Sequence, residues 1–346
     1  MSTSPKKYID SILLMKNKTK KNVSTVHRKT VKFSSPLVLE SDKKIGGTKN
    51  KKEKVKAMIC SPMVNGKTIM NNTCYTKNIL QKIKKEYNKS HSSKPIVSNN
   101  PKIIWKELRE RINCKNEDCW LNTIKDETMR KRIKEYIFAP QHPKEWNHNP
   151  NEWLSNIDIY NVLSQYEDSY PEFECIGPSF IDFASPSKDD VCVTKELCKF
   201  SLRELLHKNK NKIAIVFNLD KHTGPGTHWV SMFVDIKDKF IFYFDSAGAE
   251  IPPEIMELVK TIQDQGTNLT DPIHFKFFQN APFEHQYSNT ECGMYSLFFI
   301  ITMLTNEVEK PKKYKFKNFK EKINFFKKVR ITDKYVEKLR GGYFNS

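Results

Sequence analysis

The amino-acid sequence predicts an α+β fold. From Ile103 to Glu167 the apolar residues recur with helical periodicity, as in Trp105, Leu108 and Ile112, which fall on one face. From Ile213 onward, continuous apolar runs of strand length replace that pattern. A final apolar segment, GMYSLFFIITML, then follows a polar loop and has the length of a buried helix. Together these observations predict a sheet of buried strands with helices packed around it.

Helix boundaries follow from local signals. Pro252 stands at the start and Gly266 just past the end of one apolar-periodic segment, as helix termini prefer. A short amphipathic helix at Ile79 to Tyr87 is followed by a linker rich in Ser, Asn and Pro. The predicted helices cover residues 79–87, 103–112, 128–138, 153–167, 252–265 and 292–304.

Four strands are predicted, at residues 213–219, 228–236, 240–244 and 274–279. The second and third are separated by Lys237-Asp238, which is typical of a tight hairpin turn. In that hairpin, residues whose numbers sum to roughly 475 lie opposite one another. His228 and Asp245 therefore fall near each other at its open end, offset by about one residue.

Charge is concentrated toward the N-terminus. Residues 1–100 contain 23 Lys or Arg and 5 Asp or Glu, which gives +18 of the formal charge of +19. Apolar residues in the first 55 positions are too sparse and aperiodic to build a core. We predict a basic, mostly disordered arm at residues 1–94 and one folded domain at residues 95–346. The arm is expected to dock on nucleic acid or another polyanion, or else to be a solvated tail that aids solubility.

Eight cysteines in a long chain without an apolar signal segment indicate a reducing compartment in which thiols stay free.

No apolar run is long enough to span a bilayer, so no membrane association is expected. Cys114 and Cys119, with His142 and His148 downstream, fit zinc-finger spacing only loosely. The sequence therefore predicts no metal site and no cofactor.

Cys292 is the candidate nucleophile. It follows the loop SNTE and opens an apolar helix, so its sulfur should lie at the positive end of the helix dipole, where a thiolate is favoured. Gly293 beside it leaves room for a substrate backbone. The alternative is that Cys292 is a small buried apolar residue, the commoner fate of a cysteine.

His228 and Asp245 are the candidate base and its orienting carboxylate. His228 follows the flexible loop HTGPGT at a strand start, and Asp245 ends the neighbouring strand. A packed edge histidine and a turn aspartate are the alternatives for each residue alone. Their predicted proximity, with Cys292 downstream, favours nucleophilic catalysis.

The segments GTHWVSMFVDI, FIFYFDSAG and QYSNTECGMYSLFFI resemble the active-site blocks of the SUMO-deconjugating, ubiquitin-like-protein-specific protease family. They also resemble its viral relatives, the adenovirus endopeptidase and the proteases of large DNA viruses. The resemblance covers about residues 150–305, since WLSNIDI at Trp153 is similar to the family's substrate-side segment. Glu291 stands where the family often has Asp.

The resemblance implies a papain-like cysteine protease fold with a central, largely antiparallel sheet and a nucleophile helix. It makes Cys292 the nucleophile, His228 the general base, Asp245 its orienter, and Gln286, six residues before the cysteine, an oxyanion donor. Trp153, Trp229 and Gly293 are the predicted substrate-binding residues.

The expected activity is hydrolysis after small residues of the Gly-Gly-X type, in structural polyproteins of a large DNA virus during virion maturation. The location would be the virion or host cytoplasm. The alternatives are a nuclear or cytoplasmic deconjugase for a ubiquitin-like modifier, and an inactive scaffold that binds polyanions. The doublets Gly46-Gly47 and Gly341-Gly342 raise the hypothesis of self-cleavage after Gly47 or Gly342; otherwise they are an arm glycine and a helix cap.

Overall fold

The computed structural model describes residues 57–186, 192–308 and 314–346. The chain divides into two compact units. Among the described residues, the larger unit contains those within 151–159 and 171–337, and the smaller unit contains 57–150, 160–170 and 338–346.

The α-helices are α1 Lys77–Ser90, α2 Pro101–Arg111, α3 Glu127–Ile137, α4 Asn156–Ser169, α5 Lys195–Cys198, α6 Leu202–His207, α7 Pro253–Thr267, α8 Cys292–Thr305, α9 Phe319–Lys328, α10 Asp333–Lys338 and α11 Arg340–Tyr343. Short 3-10 helices lie at Pro62–Val64, Glu117–Thr123 and Lys144–Asn147. The strands are β1 Phe173–Phe180, β2 Lys212–Asn218, β3 Trp229–Asp235, β4 Phe240–Phe244, β5 Lys276–Gln279, β6 Glu307–Val308 and β7 Tyr314–Lys315.

All six predicted helices are present, as α1 to α4, α7 and α8. Side-chain caps explain several of the starts. Thr76 accepts a hydrogen bond from the backbone N–H of Ile79, and Asp126 accepts one from Met129. Helix α2 begins at Pro101, a residue whose missing N–H costs nothing in the first turn. Helices α5 and α6 and the helices that follow α8 were not predicted from the sequence.

The α+β class is confirmed, but the main sheet is mixed. Its strand order is β1-β2-β3-β4-β5, in which β2-β3 and β3-β4 are antiparallel and the two outer pairs are parallel. The prediction of a largely antiparallel sheet is therefore wrong at both edges. Strands β1, β6 and β7 were not predicted. In β1, which belongs to the main sheet, Phe173, Ile176 and Ser179 are buried at intervals of three. Gly177-Pro178 and a register shift interrupt its alternation, so a period-two pattern is absent.

Both faces of the sheet are covered. Alternate residues of β2, β3 and β4 pack on one side against α6 and α7, through side chains such as Leu205, Leu258 and Val259. On the other side the strands meet α8, where Phe299 stacks on Phe244 with ring centroids 4.7 Å apart. Burial on two faces explains why these strands are continuous apolar runs.

The smaller unit has its own core. Tyr75, Trp105 and Trp120 pack with apolar residues of α1, α2 and α3. This core includes the buried Leu80 and Ile83, so the prediction of a disordered arm is wrong for residues 57–94. The error arose because α1 carries many lysines on its outer face, and these were counted with the basic segment before it. Residues 1–56 of the predicted arm lie outside the described residues.

The expectation that the cysteines are free is contradicted for six of them. The structure pairs Cys60 with Cys74, Cys114 with Cys119, and Cys192 with Cys198 as disulfides, with Cα–Cα separations of 5.1, 6.3 and 6.4 Å. Such separations lie in the range that a disulfide spans. Composition indicates only a compartment, whereas folding decides which sulfurs meet. Cys175 and Cys292 are free.

The C-terminal segment is integrated into the smaller unit. Gly341 and Gly342 lie within α11, and Phe344 and Asn345 beyond them are buried. The Asn345 side chain accepts from the N–H of Ile59 at 2.7 Å and donates to the carbonyls of Ile59 at 2.9 Å and Ala139 at 2.8 Å. Because protease substrates are bound extended, cleavage after Gly342 would require this segment to leave the fold. Gly47, the other proposed cleavage site, lies outside the described residues.

In the part of the chain that the structure describes, no helix combines the length and apolarity required to cross a bilayer.

We expect Asn345→Ala to lower the free energy of unfolding of the smaller unit by about 2–3 kcal/mol, because it removes three hydrogen bonds and leaves their buried partners unpaired. Urea denaturation followed by tryptophan fluorescence measures this loss. Asn122→Ala, at an exposed position, is the matched control. Equal stability of the two variants would contradict the anchoring role of Asn345.

Candidate active site

The β3-β4 hairpin brings His228 and Asp245 together. Ser231 pairs with Phe244 and Asp235 with Phe240, which is the register predicted from the sequence. His228 immediately precedes β3, and Asp245 immediately follows β4. The Nε2 atom of His228 lies 2.7 Å from Oδ1 of Asp245. The predicted base and carboxylate are therefore directly hydrogen-bonded.

Both the backbone and the carboxylate of Asp245 form hydrogen bonds that fix its position. Its N–H donates to Asn280 Oδ1 at 2.9 Å, and its carbonyl accepts from Asn280 Nδ2 at 2.7 Å. Oδ1 also accepts from the N–H of Ala247 at 2.8 Å. Asn280 was not predicted from the sequence as part of the site. Its only signal was a polar residue directly after a strand, which many turns share.

A second clamp fixes the loop before His228. Oδ1 of Asn218 accepts from the N–H groups of Asp220 and Thr227, each at 3.0 Å. Asp220 in turn accepts from the N–H of Gly226 at 3.0 Å. Gly226 adopts φ of +89°, which favours glycine over residues with a side chain. The loop predicted to be flexible is thus closed by hydrogen bonds on the strand that neighbours β3.

The environment favours the charged form of His228. Burial alone would lower its pKa, but the negative charge of Asp245 and the hydrogen bond to it outweigh burial, and a hydrogen bond to Cys292 acts in the same direction. The pKa of His228 is therefore raised above its ordinary value. An imidazolium beside a thiol is the partner that a thiolate nucleophile requires.

Cys292 begins α8, as predicted. The helix is buried from Cys292 to Leu304, and the Cys292 side chain is 2% exposed. Glu291, at the N-cap, makes no side-chain capping bond to the helix. The first-turn N–H groups therefore lack that partner, and the sulfur stands at the positive end of the helix dipole. The structure thus brings together Cys292, His228 and Asp245.

Gln286 lies in the loop that leads to Cys292. Its Oε1 accepts from Ser246 Oγ at 2.7 Å, and its Nε2 donates to the carbonyl of Ser288 at 2.9 Å. Ser246 directly follows Asp245. Gln286 is therefore hydrogen-bonded to the end of β4, next to the carboxylate that contacts His228. Asp333 supports the loop further by accepting from the N–H of Tyr287.

The predicted substrate-binding residues differ in their exposure. Trp229 is buried, and its Nε1 donates to the carbonyl of Leu154 at 3.0 Å. A Cβ at Gly293 would lie 3.1 Å from Leu154 Cβ and 3.3 Å from Trp229 Cδ1. These two side chains therefore pack closely against Gly293, whose small size permits the approach. Its predicted role in substrate binding stays a prediction. Trp153 is half-buried beside Leu154 and is the accessible member of the set.

His285, next to Gln286, is a buried neutral histidine that the sequence analysis did not single out. Its Nε2 lies 2.7 Å from the carbonyl oxygen of Phe326, and Nδ1 lies 3.2 Å from the N–H of Ile331. Since a carbonyl only accepts and an amide N–H only donates, the ring carries its proton on Nε2. Burial lowers the pKa of His285 to about 4, partly opposed by the hydrogen bond to Phe326.

The arrangement contains groups that nucleophilic catalysis requires: a thiol at a helix start, an imidazole whose pKa is raised in part by that thiol, and a carboxylate hydrogen-bonded to the imidazole. The amide of Gln286 is bonded to Ser246, the residue after that carboxylate. Within residues 57–186, 192–308 and 314–346, no group of three or more His, Cys, Asp or Glu is arranged to hold a metal ion.

Comparison with known proteins agrees with this chemistry. A sequence profile of the Ulp1 protease family, C-terminal catalytic domain, matches residues 186–335. A protein of Acanthamoeba polyphaga mimivirus that is named as a thiol protease is 30% identical over 269 residues, and the match covers 72% of this chain and 85% of the relative. A cysteine protease of African swine fever virus is 28% identical over 264 residues, covering 70% and 89%.

A crystal structure of the African swine fever virus protease has the same fold. The TM-score is 0.57 at 22% sequence identity, and the superposition covers 85% of this chain and 97% of the viral protease. The shared architecture therefore extends over most of both chains.

We expect Asp245→Asn to lower the pKa of the His228 imidazolium, because the change removes the negative charge that stabilises it. Titration of the imidazole signals by two-dimensional NMR measures the shift. Asp182→Asn is the matched control, since Asp182 pairs with a different histidine, His222, at 2.8 Å. An unchanged His228 titration in Asp245→Asn would contradict the assigned cause.

We expect the protein to lose stability as the pH falls from 6.5 toward 4, because in this window His285 binds a proton when unfolded and not when folded. The loss from this residue is on the order of 3 kcal/mol. His285→Gln should flatten the pH dependence of the free energy of unfolding, whereas His274→Gln, at an exposed position, should not. Parallel curves for wild type and His285→Gln would contradict the neutral state of His285.

Proposed function

Because this chain belongs to the Ulp1 family of cysteine proteases, we propose that it is an endopeptidase that cleaves after Gly-Gly-type sites in viral structural polyproteins during virion maturation. The observation that carries the proposal is the 2.7 Å hydrogen bond between Asp245 and His228, whose raised pKa also reflects its interaction with the Cys292 thiol at the start of α8. These three groups are the ones that hydrolysis by a thiol nucleophile requires.

In the proposed reaction, the sulfur of Cys292 attacks the carbonyl carbon of the scissile bond. The tetrahedral intermediate collapses as His228 gives its proton to the leaving amine, so that the C–N bond breaks and a thioester remains. Water then attacks the thioester while His228 takes up one of its protons. Collapse of the second intermediate breaks the C–S bond and releases the acid product, which leaves the Cys292 thiolate beside the protonated His228 for the next cycle. No cofactor enters the cycle.

Gln286 is the proposed donor to the oxyanion, together with the backbone N–H of Cys292. A side-chain amide has two N–H bonds, and Ser288 occupies one of them. The other is available to the oxygen on which charge develops. Preorganised donors of this kind stabilise the transition state more than the ground state.

The burial of the site supports a preference for small residues. Cys292 is almost inaccessible, and Leu154 and Trp229 crowd the first turn of its helix. A substrate backbone without side chains can approach such a thiol, whereas larger residues would clash. Trp153 is proposed to line the path by which the substrate reaches Cys292.

The extent of the viral likeness supports a viral substrate. The family profile covers residues 186–335, whereas the mimivirus relative matches 72% of this chain, so the similarity includes residues outside the catalytic domain. The Lys-, Asn- and Ile-rich composition is in keeping with a large DNA virus. The protein would then work in the virion or the host cytoplasm.

Deconjugation of a ubiquitin-like modifier is the second candidate. One observation favours it: a protein from another African swine fever virus isolate, 29% identical over 226 residues, is named as a SUMO-1 cysteine protease. The same active site would hydrolyse an isopeptide bond, in the nucleus or cytoplasm. The complete set of four residues weighs against an inactive scaffold, in which the nucleophile or the base is commonly lost.

Residues 1–56 contain 16 Lys or Arg and 4 Asp or Glu. This segment is the proposed contact to nucleic acid or another polyanion, through sequence-independent attraction to phosphates.

A peptide library of Gly-Gly-X sequences and a panel of modifier fusions distinguish the two candidates. We expect the wild-type protein to turn over short peptides. Cys292→Ala should fold normally and lose all turnover. Gln286→Ala should lower kcat about a hundredfold. A strict requirement for a folded modifier would replace polyprotein processing by deconjugation. Full activity of Cys292→Ala would refute the proposed mechanism itself.

A further inference from the structure

The carboxamide of Gln286 is held at both ends. Ser246 Oγ donates to its oxygen at 2.7 Å, and its nitrogen donates to the carbonyl of Ser288 at 2.9 Å. The orientation is determined by this pair of contacts. If the amide were reversed, its oxygen would face the Ser288 carbonyl, and two acceptors would oppose each other. In the observed orientation one N–H bond of Nε2 remains for a third partner.

Ser246 itself has little freedom to move. It is 1% exposed, and its carbonyl accepts from the N–H groups of His285 at 2.9 Å and Gln286 at 2.8 Å. The preceding residue, Asp245, is fixed through both its backbone groups by Asn280. These backbone hydrogen bonds therefore fix the position from which the Ser246 hydroxyl donates to Gln286.

The hydroxyl and the carboxamide are both screened from water, since Gln286 is 7% exposed. A water molecule cannot readily replace the hydroxyl as a donor to Oε1. Loss of the hydroxyl would leave a buried oxygen unpaired, and rotation of the carboxamide toward another donor would carry its nitrogen away.

We propose that Ser246 is a positioning residue for the reaction: its hydroxyl holds the Gln286 carboxamide in the orientation that presents Nε2–H to the oxyanion. The proposal rests on the proposed role of Gln286. It assigns adjacent residues of the chain to two tasks, since Asp245 orients the base and Ser246 orients the oxyanion donor.

The test compares kcat and KM of Ser246→Ala, Gln286→Ala and the double variant on a fluorogenic Gly-Gly-coumarin peptide. Ser246→Ala is expected to lower kcat about tenfold with little change in KM, and the double variant to be no slower than Gln286→Ala, because both changes remove the same contact. Ser246→Cys, which keeps a weaker donor, should fall between wild type and Ser246→Ala. Ser231→Ala is the matched control, at a buried serine whose hydroxyl has no hydrogen-bond partner among the described residues.

A second readout separates positioning from general damage. Alkylation of Cys292 by iodoacetamide forms no oxyanion, so its rate should be the same in Ser246→Ala and wild type. A parallel fall in alkylation would mean that Ser246 supports Asp245 or the fold, and would overturn the proposal. Independent, multiplicative losses in the double variant would overturn it as well.

The outcomes also separate this proposal from the one on which it rests. Wild-type kcat in Ser246→Ala with a large loss in Gln286→Ala overturns only the role of Ser246. Wild-type kcat in Gln286→Ala removes the oxyanion role of Gln286, and with it any positioning by Ser246. Loss of turnover in Cys292→Ala tests thiol catalysis independently of both.

Discussion

The site depends on a buried charge that must be compensated. Asp245 is 1% exposed, and an unpaired carboxylate at that depth would be strongly destabilising. His228 and the N–H of Ala247 supply the compensation at the same oxygen atom. The carboxylate thereby keeps the imidazole charged and oriented. The imidazole interacts in turn with Cys292, a free cysteine that begins α8.

Much of this arrangement was predictable because it is local. The hairpin register follows from the turn at Lys237-Asp238, and the ladder pairs Ser231 with Phe244 as the sum rule requires. The start of α8 at Cys292 follows from a polar loop before an unbroken apolar run. The proximity of His228 to Asp245 and the helix start at Cys292 could therefore be predicted from the residues alone, whereas Gln286 was singled out only through the family resemblance.

The remaining features depend on contacts between distant parts of the chain. Asn280 meets Asp245 across 35 residues, and His285 meets Ile331 across 46. No sequence periodicity predicts such pairs. The residue types involved are also common in ordinary turns, so their presence alone indicates nothing more. Strand β1 was missed because its burial follows no two-residue period. The folded smaller unit was missed at residues 57–94 because its surface lysines were counted with the basic segment before it.

The adjacency of Asp245 and Ser246 has an evolutionary consequence. A deletion or insertion within β4 would shift both residues at once, turning each to the opposite side of the chain. A single insertion or deletion in this strand would therefore disturb the contacts of Asp245 with His228 and of Ser246 with Gln286 together. The turn at the far end of the hairpin carries no such constraint, so length variation and inserted epitopes should be tolerated there rather than in the strand.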